Sequence, residues 1–230
     1  EPQIVSAKND YSTAMRELGN MASLSGQSST AMKSIQKALA MSVELRNSDP
    51  QNAEYKLFEI MNRLDLAAVH LERCDQNGAL VQINSALPML QSIPDPDKNL
   101  RQEKEQIDLQ LQIFAFRGQI LAGNGGELSG ALRDLIDQKS KAMARMKPGR
   151  DDPLYFARAE IALGDSFVLA GDRQKAAAAW AAAKARLALH PSQNDARVQA
   201  EIRRIGVRTV STGRFANKGA ARRILFGCSS

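Results

Sequence analysis

The stretch ALGDSFVLAGDRQKAAAAWAAAKARLAL, residues 162–189, predicts two helices joined by a tight turn. Gly164 and Phe167 lie three residues apart and therefore share one side of the first helix. Gly171 can adopt the left-handed conformation that ends a helix, and Asp172 can cap the helix that follows. The second helix then carries an apolar stripe with steps of four, three and four residues, which consists of Ala176, Trp180, Ala183 and Leu187. The whole stretch is typical of an antiparallel helical hairpin.

Small residues on both helices predict a close approach of the two backbones. We expect Gly164 and Ala176 to lie where the helices are nearest, because neither carries a long side chain. Phe167 and Trp180 are then the residues that fill the space around this contact.

The same pattern recurs upstream, which indicates an internal repeat. The first copy contains Leu18, Gly19, the break Ser25–Gln27, Ala31, Ile35 and Ala38. The second contains Leu66, Ala67, His70, the break Asn77–Gly78, Ala79, Ile83 and Ala86. The third contains Gly118, Leu121, an enlarged loop over residues 123–130, Ala131 and Leu135. The equivalent alanines at positions 31, 79, 131 and 176 are separated by 48, 52 and 45 residues.

A leucine–glycine pair, an aromatic residue three positions later and a small residue after the turn are the marks of the tetratricopeptide repeat. The chain resembles that family, and the resemblance implies an all-α fold, a TPR-like α-solenoid of antiparallel helix pairs. The repeats would be degenerate and expanded to about 45–52 residues, against the ~34 of the short form. An unrelated helical bundle is the alternative.

We expect the repeat array to occupy residues 1–195, with helix pairs near 4–47, 50–93, 97–147 and 152–190. Capping helices rich in basic residues would follow over 196–230. Asp49 and Pro50, in RNSDPQNAEYK (46–56), predict a capped helix start. Pro88 lies inside a helical pattern, so we expect a kink or an early end there.

The stretch KALAMSVELRNSDPQNAEYK, which ends at Lys56, is similar to the repeats at the C-terminal end of bacterial serine/threonine protein kinases. The chain itself contains no glycine-rich phosphate loop, HRD or DFG motif. The resemblance implies a regulatory or sensory module of a signalling protein. The chain begins Glu1-Pro2 without Met, so we expect a processed form or a piece of a longer protein. The periplasmic side of the inner membrane is favoured over the cytoplasm, and Cys74 and Cys228 leave the redox compartment open.

The charge is unevenly distributed along the chain. Residues 196–230 carry eight Arg or Lys and one Glu, whereas the remainder is close to neutral, for a total of +6. A basic patch is predicted at Arg203, Arg204, Arg208, Arg222 and Arg223. Clustered cations can bind phosphates, so a nucleic-acid or anionic-membrane surface binder acting through residues 197–223 is the alternative function. Solvated arginines on capping helices are the simpler interpretation, and no apolar run approaches the ~20 residues of a membrane span.

Residues with catalytic or metal-binding chemistry are sparse. His70 and Cys74 could share a helix face, but two ligands do not complete a zinc site. His190 is expected near the last carbonyls of a helix. The loop GNGGELSG (123–130) lacks the Lys-Ser/Thr of a phosphate-binding loop. We therefore predict a non-enzymatic chain with no cofactor and no metal.

The resemblance implies that the first helix of each pair lines a concave face that binds an extended peptide or a helix. Transferring the groove positions of the family gives the candidate partner-binding residues Arg16, Asn20, Gln119, Arg158 and Asp165. Arg16 and Asn20 match a pair that some family members use to bind a peptide carboxylate. The expected partner is a protein or peptide ligand, with a homodimer as an alternative; nucleic acid is disfavoured, and a membrane would be met only through a segment outside this chain.

Overall fold

The computed structural model describes residues 2–94, 98–211 and 225. Within these residues the chain is all-α, with no β-strand, as the sequence predicts. The helices are α1 (Pro2–Leu24), α2 (Ser28–Ser48), α3 (Ala53–Glu72), α4 (Gln76–Gln91), α5 (Lys98–Leu121), α6 (Ser129–Met143), α7 (Asp152–Leu169), α8 (Arg173–Leu187) and α9 (Ala196–Ser211). A short 3-10 helix, Gly125–Glu127, precedes α6.

The chain divides into two compact units. Unit 1 is Glu1–Asp97 and contains α1 to α4; unit 2 is Lys98–Ser230 and contains α5 to α9. In unit 1, each helix packs most extensively against its neighbours in sequence. In unit 2, α7 is the central helix, since it packs against α5, α6, α8 and α9.

The hairpin of α7 and α8 forms as its sequence predicts. Gly171 has a φ of 84°, and the Asp172 carboxylate accepts a hydrogen bond of 3.0 Å from the Lys175 backbone N–H. A Cβ atom at Gly164 would lie 2.3 Å from Trp180 Nε1, and Trp180 is 1% exposed. The absence of a side chain at position 164 therefore lets the indole lie directly against the α7 backbone.

The same contact recurs in unit 1. A Cβ atom at Gly19 would lie 2.4 Å from Ile35 Cγ1, and Ile35, like Trp180, follows its glycine by sixteen residues. Ala67 and Ile83 have the same separation on α3 and α4, and both are fully buried. The stripe alanines of these two hairpins and of α8 are buried throughout: Ala31, Ala38, Ala79, Ala86, Ala176 and Ala183.

The remaining copy differs from the expectation at Ala131, which is exposed. The buried stripe of α6 begins one residue later and consists of Leu132, Leu135, Ile136, Lys139 and Met143. The 3-10 helix lengthens the connection from α5, and the buried stripe of α6 lies one position later than the sequence pattern predicts. Lys139 is buried in a stripe where the other copies have alanine, and its ammonium group binds the carboxylates of Glu105 and Asp108.

One local prediction in unit 1 needs correction, and a second stays a prediction. The cap of α3 is Asn52 rather than Asp49, because the Asn52 side chain accepts hydrogen bonds from the backbone of Glu54 and Tyr55. Pro88 lies inside α4, which continues to Gln91. A proline removes the intrahelical bond to the carbonyl four residues earlier and crowds that turn, and α4 ends three residues after Pro88.

Candidate interaction sites

Arg16 and Asn20, which the sequence resemblance assigns to a partner's peptide carboxylate, both contact a carboxylate of the chain itself, that of Asp65. Arg16 Nε lies 2.6 Å and Asn20 Nδ2 lies 3.0 Å from the same oxygen, Asp65 Oδ2. Asp65 belongs to α3, so this contact joins the first helices of two successive pairs. Ser23 and Glu72 make a second contact between the same helices, with the Ser23 hydroxyl 2.6 Å from Glu72 Oε2.

In unit 2, the predicted residues Arg158 and Asp165 of α7 also contact another helix, α9. Arg158 Nε lies 2.9 Å from Glu201 Oε1, and Asp165 receives two hydrogen bonds, of 2.7 and 2.8 Å, from Arg208. Asp165 also accepts the indole N–H of Trp180 at 3.3 Å. These residues tie α7 to α9. The fifth candidate, Gln119, lies half-buried on α5.

The structure describes three residues of the predicted basic patch, and two of them, Arg204 and Arg208, bind acidic side chains of the protein. Arg208 is 3% exposed and also donates to the backbone carbonyl of Leu225 at 3.0 Å. Arg204 Nη1 lies 2.9 Å from Glu201 Oε1, whereas Arg203 is exposed. Arg222 and Arg223 lie outside the described residues.

Four arginines and two carboxylates thus gather on α5, α7 and α9 of unit 2. We call this group the arginine cluster; it consists of Arg117, Arg158, Asp165, Glu201, Arg204 and Arg208. Glu201 forms ion pairs with Arg158 and Arg204, and Asp165 forms an ion pair with Arg208. The group therefore carries an excess of two positive charges.

Arg117 is the member that sequence reasoning missed. Its half-buried guanidinium makes no hydrogen bond or ion pair with any residue of the described ranges, and its Cζ lies 5.8 Å from the centroid of the Phe114 ring. Burial, together with the cations of Arg204 and Arg208, lowers the pKa of Arg117 to about 10, and the carboxylates of Glu201 and Asp165 offset this effect only in part. At neutral pH the group stays charged but is incompletely neutralised. Arg117 lies two residues before Gln119 on α5, and no motif marks it in the sequence.

The carboxylates of the cluster are held in the ionised form. Burial raises the pKa of Glu201, but the cations of Arg204, Arg158 and Arg117 outweigh that effect and hold it at about 2. The side chain of Glu201 is 3% exposed, so it is an internal counter-ion. What remains available to a ligand in this cluster is positive charge.

Unit 2 also contains an apolar cleft that the sequence did not indicate. Its volume is about 500 Å³, and it lies between the end of α6, the start of α7 and the end of α8. Arg186 lies over the Phe156 ring with its Cζ 5.0 Å from the centroid and pairs with Glu160 at 2.7 Å. Other lining residues include Met143, Met146, Pro148, Arg150, Leu189 and Pro191. The cleft can accept an apolar side chain at a cationic edge.

Each of the two histidines contacts an aspartate of the chain. His70 Nδ1 lies 2.7 Å from Asp75 Oδ2, at the turn between α3 and α4. The His190 side chain is fully buried between Ser192 and Asp151, with its Nε2 atom 3.2 Å from Asp151 Oδ1, and the His190 backbone N–H donates to the carbonyl of Leu187, the last residue of α8, at 3.1 Å. Among the residues described, no group of three or more His, Cys, Asp or Glu side chains could hold a metal ion.

No protein-family model, curated protein or solved structure matches this chain. None of the helices in the described ranges has both the length and the hydropathy that crossing a membrane requires.

Proposed function

We propose that this chain is a non-catalytic protein-interaction module whose arginine cluster binds an acidic segment of a partner protein. The observation that carries the proposal is Arg117, a half-buried guanidinium with no hydrogen-bonded or ion-paired acid in the described ranges, within a cluster of excess positive charge that Glu201 and Asp165 only partly offset. A carboxylate placed against Arg117 would form a charge-assisted hydrogen bond in a partly desolvated site, which is the kind that contributes most to binding.

The arrangement of small and large residues supports a TPR-like array as the frame of this site. Three helix pairs share a small residue on the first helix and a large buried residue sixteen positions later, as in Gly19–Ile35 and Gly164–Trp180. In such an array the first helices line one face, and the arginine cluster consists of residues on first helices, α5, α7 and α9. A concave face of this kind would present Arg117 to an extended peptide.

The experiment is a titration of labelled oligo-glutamate and oligo-lysine peptides into the intact chain and into Arg117→Gln. We expect the oligo-glutamate peptide to bind and the variant to lose about ten- to a hundredfold in affinity, as removal of a charged hydrogen bond predicts. Lys184→Gln, an exposed cation of α8, is the matched control for a change in total charge and should leave the affinity unchanged.

The alternative, a nucleic-acid or anionic-membrane binder, makes a different prediction for the same proteins. In that case Arg203→Gln would weaken binding of a single-stranded oligonucleotide or anionic vesicles, and Arg117→Gln would leave it unchanged. Binding of oligo-glutamate that is absent, or that does not depend on Arg117, would overturn the proposal.

The regulatory role in a signalling protein, the association with a serine/threonine kinase and the periplasmic location stay predictions of the sequence resemblance. Within that scheme, capture of an acidic segment by unit 2 would be the signal that the module receives.

A further inference from the structure

The helix α1 exposes an apolar stripe along its length. Tyr11, Leu18 and Met21 are 46%, 49% and 67% exposed, and the stripe is completed by the exposed residues Ala7 and Ala14. The steps between these residues are four, three, four and three. This is the heptad spacing with which one helix packs along another.

The equivalent face is covered in the next helix pair. Leu66 and Val69 of α3, forty-eight residues after Leu18 and Met21, are 3% and 1% exposed. They pack in one cluster with Ala31 and Ile35 of the preceding pair and with Ala22 of α1. The stripe on α1 is therefore the face on which a repeat of this kind receives a neighbouring helix.

The last complete helix of the described residues, α9, carries a stripe with the same steps. It consists of Ala196, Ala200, Arg203, Val207 and Val210, each 189 residues after its counterpart on α1. Val207 and Val210 are 55% and 80% exposed, and Arg203 is exposed in the middle of the stripe. The opposite face of α9 holds its buried residues, among them Ile205 and Arg208.

The charges beside the two stripes are complementary. Asp10 and Glu17 are exposed, flank the middle of the α1 stripe at Ala14, and make no ion pair within the described residues. The α9 stripe has a cation, Arg203, in its middle. Antiparallel contact between the stripes would place Arg203 next to these acids, and it would set the small residues Ala196 and Ala200 against the larger Met21 and Leu18 of α1.

We propose that α1 of one copy of this chain binds α9 of a second copy, so that the protein self-associates head to tail. Pairing of α1 with α1 is disfavoured, because the Asp10 and Glu17 carboxylates of two copies would meet across it. A contact between two different surfaces leaves one α1 and one α9 free in each dimer, so the association can extend to longer assemblies or close into a ring. The contact spans only about two heptads, so the association is weak and concentration-dependent.

The experiment measures sedimentation velocity of the intact chain over a range of concentrations up to ~1 mM, where weak interfaces populate their complexes. Two charge variants are compared: Arg203→Glu, and Asp10→Lys combined with Glu17→Lys. All three positions are exposed, so the fold should tolerate the changes, and circular dichroism checks this. Val81→Gln, at an exposed valine of α4, is the control for loss of surface apolar area.

We expect the wild type and Val81→Gln to associate and each charge variant alone to remain monomeric. An equimolar mixture of the two charge variants should associate again, because each mixed contact pairs opposite charges. A wild type that is monomeric throughout, or association that survives Arg203→Glu alone, would overturn the proposal; the second result would indicate pairing through α1 alone. None of these residues belongs to the arginine cluster, so the outcome is independent of peptide binding.

Discussion

Gly164 lies directly beneath Trp180, and a Cβ atom at this glycine would approach the indole nitrogen to 2.3 Å. The ring is 1% exposed and its N–H is bound to Asp165, so it cannot move away at low cost. This contact links the packing of α8 to the arginine cluster, because Asp165, which accepts the Trp180 N–H, also forms an ion pair with Arg208. Packing in this hairpin therefore fixes a residue that orients the proposed binding site.

Gly164→Ala should destabilise unit 2. Overpacking a rigid buried ring costs about 1–3 kcal/mol, and the better helix propensity of alanine returns about 1 kcal/mol, so the net loss is up to about 2 kcal/mol. The measurement is denaturant unfolding followed by the fluorescence of Trp180, the single tryptophan of the chain.

The matched control is Gly206→Ala on α9. No atom lies within 4 Å of a Cβ built there, so this variant should gain up to about 1 kcal/mol from helix propensity. Equal effects of the two substitutions would show that Trp180 yields to the added methyl group, contrary to the packing described.

The buried pair of Asp165 and Arg208 should behave as a unit. Arg208→Ala leaves a carboxylate that is 1% exposed without its counter-ion, and we expect a loss of about 3–5 kcal/mol. Combining Arg208→Met with Asp165→Leu removes both charges and should cost less than Arg208→Met alone. A double-mutant cycle measures the coupling, and strictly additive losses would refute it.

Unit 2 should lose stability in acid through Glu201. The pKa of this carboxyl is about 2 in the folded protein and 4.5 for an unperturbed group, so the unfolded chain takes up its proton first. The stabilisation is therefore complete above pH 4.5 and is lost as the pH falls from 4.5 to 2. Glu201→Gln should flatten this part of the profile of unfolding free energy against pH; an unchanged slope would assign the acid sensitivity to other groups.

In unit 1, Asp65→Ala should loosen the contact between α1 and α3. The substitution removes the shared partner of Arg16 and Asn20, and we expect a loss of about 1–2 kcal/mol. Hydrogen exchange of α3 measures it. Glu44→Ala is the control, because the Lys8–Glu44 pair is exposed on both sides and contributes about 0–1 kcal/mol. Faster exchange in the control than in Asp65→Ala would contradict the assignment.

Local packing was predictable from the sequence because it depends on residues close together in the chain. The spacing of Gly164, Gly171 and Trp180 predicts the hairpin, and Gly19 and Ile35 have the same separation as Gly164 and Trp180. The register of α6 was not predictable, since the 3-10 helix at Gly125–Glu127 forms in a loop whose glycines permit many conformations.

The candidate site was predictable only in part. The groove positions gave Arg16, Asn20, Arg158 and Asp165, but their partners lie 43 to 49 residues away in the chain, and no local pattern reveals them. The sequence around Arg117 contains no motif. Its proposed role depends on the position that α5 gives it in the folded unit. Likewise, the inward orientation of Arg208 could not be read from the charge of the tail.

The central claim, recognition of an acidic segment at Arg117, is tested most directly by nitrogen-15 NMR of the arginine side chains. The Nε–Hε signal of Arg117, assigned with Arg117→Gln, is followed while oligo-glutamate peptide is added to the intact chain. We predict that this signal shifts and saturates with the peptide, while the signal of exposed Arg203 stays in place. A shift of Arg203 with Arg117 unmoved would contradict the account and locate anion binding in the basic tail.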